Sequence, residues 1–202
     1  ALRQTNMVRL MAYSGVAQTG FMIAPLAVAG HSVATGDQAL SATVTYLVIY
    51  AAMNLGVFAV VITLARRTGS AEISSYAGAF RYAPGLTLAM TAFLFSLAGI
   101  PPLGGWFAKF EVFRVLVTAG EPWGYVLAVV AAVNSVIALF YYAAIARRMW
   151  AEDVPDGDLS PVPVTPSLVS ALALCGIVTL AFGVAPQAVA RFTNVSLLAL
   201  GG

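Results

Sequence analysis

Residues 93–113 read FLFSLAGIPPLGGWFAKFEVF. They sit inside an apolar run from 83 to 119. As a helix, about 20 apolar residues cross a hydrocarbon core of about 30 Å, so the run is long enough to span. It cannot span as one unbroken helix. Pro101 and Pro102 lack backbone N–H groups, and each disfavours the helical region for the residue before it. Gly99, Gly104 and Gly105 loosen both flanks. The pattern predicts two half-helices, 84–98 and 106–119, with an unwound link between them. Unwound backbone at membrane depth is tolerated only where protein buries it or where it lines a wet cavity. Discontinuous helices of this kind hold ion sites in transporters. A plain proline kink, or two short helices at a re-entrant turn, would use the same residues without a special role.

Lys109 lies in the second half-helix and is the only lysine of the chain. An ionisable side chain at the centre of a membrane helix costs about 2.5–3.5 kcal/mol on insertion scales. Arginine stays protonated in proteins, whereas a buried lysine can exchange its proton. Lys109 is therefore the candidate proton acceptor and donor. Snorkelling to an interface or a static ion pair are the competing readings. Glu111 and Arg114 are three apart and can pair on one helical face. Glu111 points away from Lys109, which makes it a structural partner for Arg114. Other polar residues recur at helical spacing: Ser14 with Gln18, Tyr46 with Tyr50 and Asn54, and Asn134 with Tyr141. Ser14, Gln18, Tyr50, Asn54, Asn134 and Tyr141 are candidates for a proton path to Lys109. Interhelical hydrogen bonding, helped by small residues such as Ala52 and Gly56, would produce similar stripes.

The rest of the chain is equally apolar. Of 202 residues, 60% are hydrophobic and 9% charged, against about 25% charged in a soluble domain. The mean hydropathy is +0.90. Net charge is +2, with no basic face to suit nucleic acid. Cys175 is the single cysteine and His31 the single histidine, so the sequence holds no internal disulfide and no metal cluster. About five membrane spans result, at 10–30, 39–65, 83–119 (the broken one), 122–146 and 164–190. They form an all-α polytopic helix bundle, a single membrane domain over 1–202. Strands of a membrane barrel would alternate in segments of about 10 residues, and no such alternation is visible. The start, ALRQTNMVRL, has no secretory pattern and reads as the interior of a longer protein.

Basic residues mark alternate flanks. Arg3 and Arg9 precede the first span, Arg66, Arg67 and Arg81 follow the second, and Arg147 and Arg148 follow the fourth. The loops with His31 and Asp37, and with Glu121, carry no Lys or Arg. The positive-inside rule puts the basic flanks in the cytoplasm, together with the Pro- and Asp-rich linker 151–166, and the C-terminus outside. Arg191 is the one dissenting base.

These motifs resemble the antiporter-like membrane subunits of respiratory complex I. MVRLMAYSGVAQTGF (7–21) is similar to a family segment that usually reads KRLLAYSSIAHxGY. YLVIYAAMNLGVFAVV (46–61) looks like the helix that comes after it, and GVAPQ (183–187) like the family's last helix. LAGIPPLGGWFAKFEVF (97–113) resembles the broken helix, commonly LAGIPPxxGFxxKFxVF, and favours the N-type subunit of bacterial NADH-quinone oxidoreductase over its M and L sisters. The M sister typically has glutamate at the position of Lys109. Gln18 stands where the family often has histidine, and Val8 where a lysine often precedes the AYS motif. The resemblance covers nearly the whole chain. It implies the C-terminal half of an inverted-repeat fold, with Lys109 on the lysine of the outward proton half-channel. It implies proton translocation coupled to NADH oxidation and quinone reduction elsewhere in the complex. NADH, FMN, iron–sulfur clusters and quinone would then belong to other subunits, with no redox centre, cofactor or metal here. The implied partners are the M and K subunits, neighbouring small subunits and the lipid bilayer, in the bacterial inner membrane. Rival readings are a Mrp-type cation/proton antiporter, a membrane-bound hydrogenase subunit, and a non-transporting scaffold.

Overall fold

A computed structural model describes residues 1–186. Gln187 of the GVAPQ motif, the tail of the last expected span and Arg191 lie outside the described residues. The chain runs α1 (Met7–Ile23), a 3₁₀ segment (Ala24–His31), α2 (Val33–Thr68), two short 3₁₀ turns, α3 (Pro84–Ala98), α4 (Gly104–Thr118), α5 (Pro122–Ala151) and α6 (Pro166–Val184). Among the described residues the only β pairing is an isolated bridge between Asn6 and Glu72.

Local chemistry sets these boundaries. Side chains of Asn6, Ser32 and Thr165 cap α1, α2 and α6, each accepting from a backbone N–H three residues on. Proline opens α3, α5 and α6, where its missing N–H would have had no helical partner. Gly69 ends α2 and Gly99 ends α3 in the left-handed region. The first expected span, 10–30, changes character at Ala24, because Pro25 cannot donate to the α-helical ladder. α2 is longer than expected, at 36 residues. That is about 54 Å at 1.5 Å per residue, so its ends project beyond the hydrocarbon.

Among the described residues four segments are long and apolar enough to cross a membrane: Met7–His31, α2, α5 and α6. α3 and α4 have 15 residues each, about 22 Å, and neither spans alone. They are two half-helices separated by a break within the 83–119 run, as the prolines and glycines predict. α2 is the central helix and packs on α1, α3, α4 and α6. Outward faces stay apolar: Trp123, Val129, Val136 and Phe140 on α5 and Leu174 and Ile177 on α6 are exposed. Water would not solvate such a surface, and lipid does. The chain is a multi-pass membrane protein.

The two ends of the bundle differ in charge. At one end, Met7 N–H donates to Ala71 O at 2.8 Å and Gly78 N–H to Arg148 O at 3.1 Å. The N-terminal flank, the α2–α3 loop and the α5–α6 linker therefore meet there, with the arginines those flanks carry. At the other end, His31 Nδ1 lies 2.8 Å from Glu121 Oε1.

Candidate functional site

α3 stops because two prolines lie just beyond its end. In an α-helix the N–H of residue i bonds to the carbonyl of residue i−4. The positions that would serve the Leu97 and Ala98 carbonyls are Pro101 and Pro102, which have no N–H. The backbone closes the helix end one step earlier. Gly99, at φ 95°, donates to Phe95 O and Ser96 O at 3.1 and 2.9 Å, and Ile100 N–H donates to Phe95 O at 3.0 Å. Two carbonyls are left at the end of α3, in the protein interior. A buried carbonyl without a partner is costly, and side chains supply the partners. Gln18 Nε2 donates to Leu97 O at 3.0 Å. Lys109 Nζ donates to Ala98 O at 2.8 Å.

Lys109 is 5% exposed, so it neither snorkels nor lies among headgroups. Its amine also sits 4.6 Å from the centre of the Phe21 ring, over a face that attracts cations. Gly99 leaves room for the stem: a Cβ there would come within 2.9 Å of Lys109 Cδ. Among the described residues no carboxylate pairs with Lys109. The charged form is held by the negative end of the α3 dipole and by the aromatic ring, against the cost of burial.

α4 starts at the same place. Gly105 N–H donates to Ser96 Oγ at 3.0 Å, which satisfies one of the free donors at the α4 N-terminus. The approach is so close that a Cβ on Gly105 would overlap the Ser96 carbonyl. α6 seals the outer side. Trp106 Nε1 donates to Gly183 O at 3.2 Å, and a Cβ on Gly183 would overlap the Pro102 carbonyl.

Gln18 is the centre of a buried network. Besides Leu97 O, its Nε2 donates to Tyr142 Oη at 3.3 Å. Its Oε1 accepts from Tyr46 Oη at 2.5 Å. Tyr142 Oη also shares a short hydrogen bond with Ser14 Oγ. Phe21 stacks on Tyr46 with ring centres 6.2 Å apart.

Of the residues singled out from sequence, Lys109, Ser14, Gln18 and the break residues Gly99, Pro101, Pro102, Gly104 and Gly105 come together here. Tyr141 is buried and packs edge-on against Tyr142 at 4.5 Å. Tyr50 is half-buried and flanks Gly15 of α1. The Asn54 side-chain oxygen is buried without a partner. Asn134 is not brought to the site. It is exposed in a groove that opens between α1 and α5, where Ala17 and Gly20 offer no bulk to close it. Glu111 and Arg114 form the expected ion pair, at 2.6 Å.

Sequence reasoning missed Tyr142, Phe21 and Ser96. Tyr142 had a signal: Ala131, Ala138, Tyr142, Ile145 and Met149 make a buried stripe on α5 at helical spacing. The stripe through Asn134 and Tyr141 hid it. Phe21 and Ser96 had none, because their roles depend on which helices become neighbours. Among the described residues no three His, Cys, Asp or Glu side chains converge as metal ligands.

A family model described as "NADH:quinone oxidoreductase/Mrp antiporter, TM" matches residues 1–135. A Koribacter versatilis protein named NADH-quinone oxidoreductase subunit N 1 is 40% identical over the whole of this chain and 38% of its own length. A Sorangium cellulosum protein named NADH-quinone oxidoreductase subunit N 2 is 40% identical over 91% of this chain and 35% of its own length. The chain thus spans under two-fifths of these relatives. Among solved structures, a chain of respiratory complex I from Thermus thermophilus with bound NADH superposes with a TM-score of 0.77 at 21% identity, over 98% of this chain and 41% of that one. A chain of the same complex with bound aureothin gives 0.61 at 25% identity, over 90% and 45%. The match over 1–135 carries the assignment: the chain belongs to the NADH:quinone oxidoreductase/Mrp antiporter family of membrane proteins.

Proposed function

We propose that this chain works as the C-terminal part of a proton-translocating membrane-arm subunit of an NADH-quinone oxidoreductase, with Lys109 carrying the proton. The observation that supports it most is the seat of that amine. The only lysine of the chain is buried on a carbonyl that the Pro101–Pro102 break has left without a backbone donor. In the ammonium form, Nζ donates to Ala98 O and faces Phe21. After proton loss the neutral amine gains a lone pair, retains two N–H donors and no longer carries the charge that the helix end and the ring attract. Gln18 stays on the neighbouring Leu97 carbonyl in both forms, because an amide does not titrate. The end of α3 therefore keeps its position while the charge beside it comes and goes. Ser14 and Tyr141 beside Tyr142, with Tyr50 and Asn54 on α2, would be the residues by which a proton reaches or leaves this pocket.

On this reading NADH, flavin, iron–sulfur and quinone chemistry belongs to other subunits, and the M and K subunits are neighbours. The arginine-rich end faces the cytoplasm across the bacterial inner membrane, and the C-terminus lies outside. Moving one charge against the membrane potential takes about 2.3 kcal/mol per 100 mV. In the full-length, assembled subunit, Lys109→Met should lower proton pumping in proteoliposomes several-fold. Lys109→Arg should lower it too, since arginine keeps the charge and cannot release the proton. Wild-type pumping and quinone reduction in Lys109→Met would end the assignment. A Mrp-type antiporter is the second reading, because the matched family includes both classes. Flavin and iron–sulfur proteins co-purify with a complex I subunit and not with such an antiporter.

A further inference from the structure

An apolar groove of about 510 Å³ runs between α2 and the start of α6. Its α2 wall is Ala59, Ile62 and Arg66, which share one helical stripe. Val162, Pro163 and Leu168 form the facing wall. The arginines at its mouth differ. Arg67 is tied to the linker: its Nη2 lies 3.0 Å from Asp158 Oδ2, and its guanidinium rests 4.2 Å from the centre of the Tyr82 ring. Arg81 is paired with Asp153, and Arg147 and Arg148 with Glu152, while Arg3 and Arg9 at this end do not line the groove. Arg66 is exposed and has no ion-pair partner among the described residues.

Depth adds a second constraint. Arg66 stands three residues before the left-handed Gly69 that ends α2, at the arginine-rich end. Ala59, seven residues earlier, lies about 10 Å further toward the middle of the bundle. The groove thus has a cationic mouth near the membrane surface and an apolar floor at acyl-chain depth. A zwitterionic lipid would fill the floor and bring no net negative charge to the guanidinium. A free anion would meet the guanidinium and leave the floor empty.

We propose that this groove binds an anionic glycerophospholipid, with its phosphate on Arg66 and one acyl chain between α2 and α6. The test is native mass spectrometry of the full-length protein in detergent, after incubation with phosphatidylglycerol or phosphatidylcholine. Wild type should retain phosphatidylglycerol over phosphatidylcholine by about fivefold. Arg66→Gln should abolish the preference, and Arg66→Lys should keep it. Ile62→Trp, at a half-exposed position (50%), should block retention with Arg66 intact. Wild-type retention by Arg66→Gln or by Ile62→Trp would overturn the proposal. So would an equal loss in Arg3→Gln, at the same end but away from the groove, or displacement of the lipid by inorganic phosphate.

Discussion

Gln18 does three jobs with one amide. It donates to Leu97 O and to Tyr142 Oη and accepts from Tyr46 Oη. Gln18→Leu keeps a similar volume and leaves Leu97 O and Tyr46 Oη without a partner, while Tyr142 Oη keeps Ser14 Oγ. Each buried polar group so orphaned costs about 1–3 kcal/mol, so the variant's melting temperature should drop clearly in detergent. Gln18→His retains a donor and an acceptor and should fall less. A melting temperature equal to wild type in Gln18→Leu would contradict the hydrogen-bond assignment. For single residues the sequence was legible where chemistry is expensive. A lone lysine in an apolar helix and the Ser14–Gln18 stripe announce themselves by their cost in lipid. The partners were less legible. That Gln18 and Lys109 land on consecutive carbonyls is a consequence of Pro101 and Pro102 standing four residues beyond Leu97 and Ala98, but which side chains reach those carbonyls is a matter of helix packing. Asn134 shows the same limit: spacing gives a direction on a helix, and the width of the α1–α5 groove decides whether that direction is inside.

The break is an element with tight steric terms. Gly105→Ala places a methyl on the Ser96 carbonyl, so α3 and α4 must move apart and the Gly105–Ser96 hydrogen bond must lengthen. Overpacking of this kind costs about 1–3 kcal/mol or more. The expected result is reduced assembly of the subunit and a lower melting temperature. Gly85→Ala, in the first turn of α3 where the added methyl meets nothing, should be neutral or stabilising by up to about 1 kcal/mol. Equal behaviour of the two variants would remove the steric account. The break and its half-helices could be read from proline and glycine alone, since those residues act on their own backbone. The end of α1 could not be placed as well: hydropathy runs on through Pro25, and the 3₁₀ segment Ala24–His31 is as apolar as the helix before it. Apolar content reports what is in the membrane and is silent on the helix type.

Across the molecule as a whole, the linker between α5 and α6 is tied back to α2. Arg67 Nη2 donates to the Asp158 carbonyl at 2.6 Å and lies 3.0 Å from its carboxylate. Hydrogen bonds from the Ser160 hydroxyl and backbone N–H, with Arg67 beside them, hold the Asp158 carboxyl below its ordinary value. A carboxylate whose pKa is lowered in the folded state stabilises that state at pH above the ordinary aspartate range. The contribution is lost as the pH falls through the lowered value. Limited proteolysis of the linker should therefore stay slow at neutral pH and quicken only in strong acid. Asp158→Asn should show faster cleavage already at neutral pH. A cleavage rate indifferent to both changes would mean that the Arg67 contact does not hold the linker. The sequence suggested only a Pro- and Asp-rich linker here. Its anchor was hidden, because Arg67 and Asp158 are far apart in sequence and each looks like an ordinary surface charge.

Gly183 has a mechanical meaning. With hydrogen in place of a side chain, the backbone of α6 lies directly on the Pro102 carbonyl, and the Trp106 indole is hooked to the Gly183 oxygen from α4. The unwound link and the last helix are thus bolted together. Any tilt at the break would therefore carry a membrane-high strut through the surrounding acyl chains, and the stiffness and thickness of the bilayer would become part of the resistance to it.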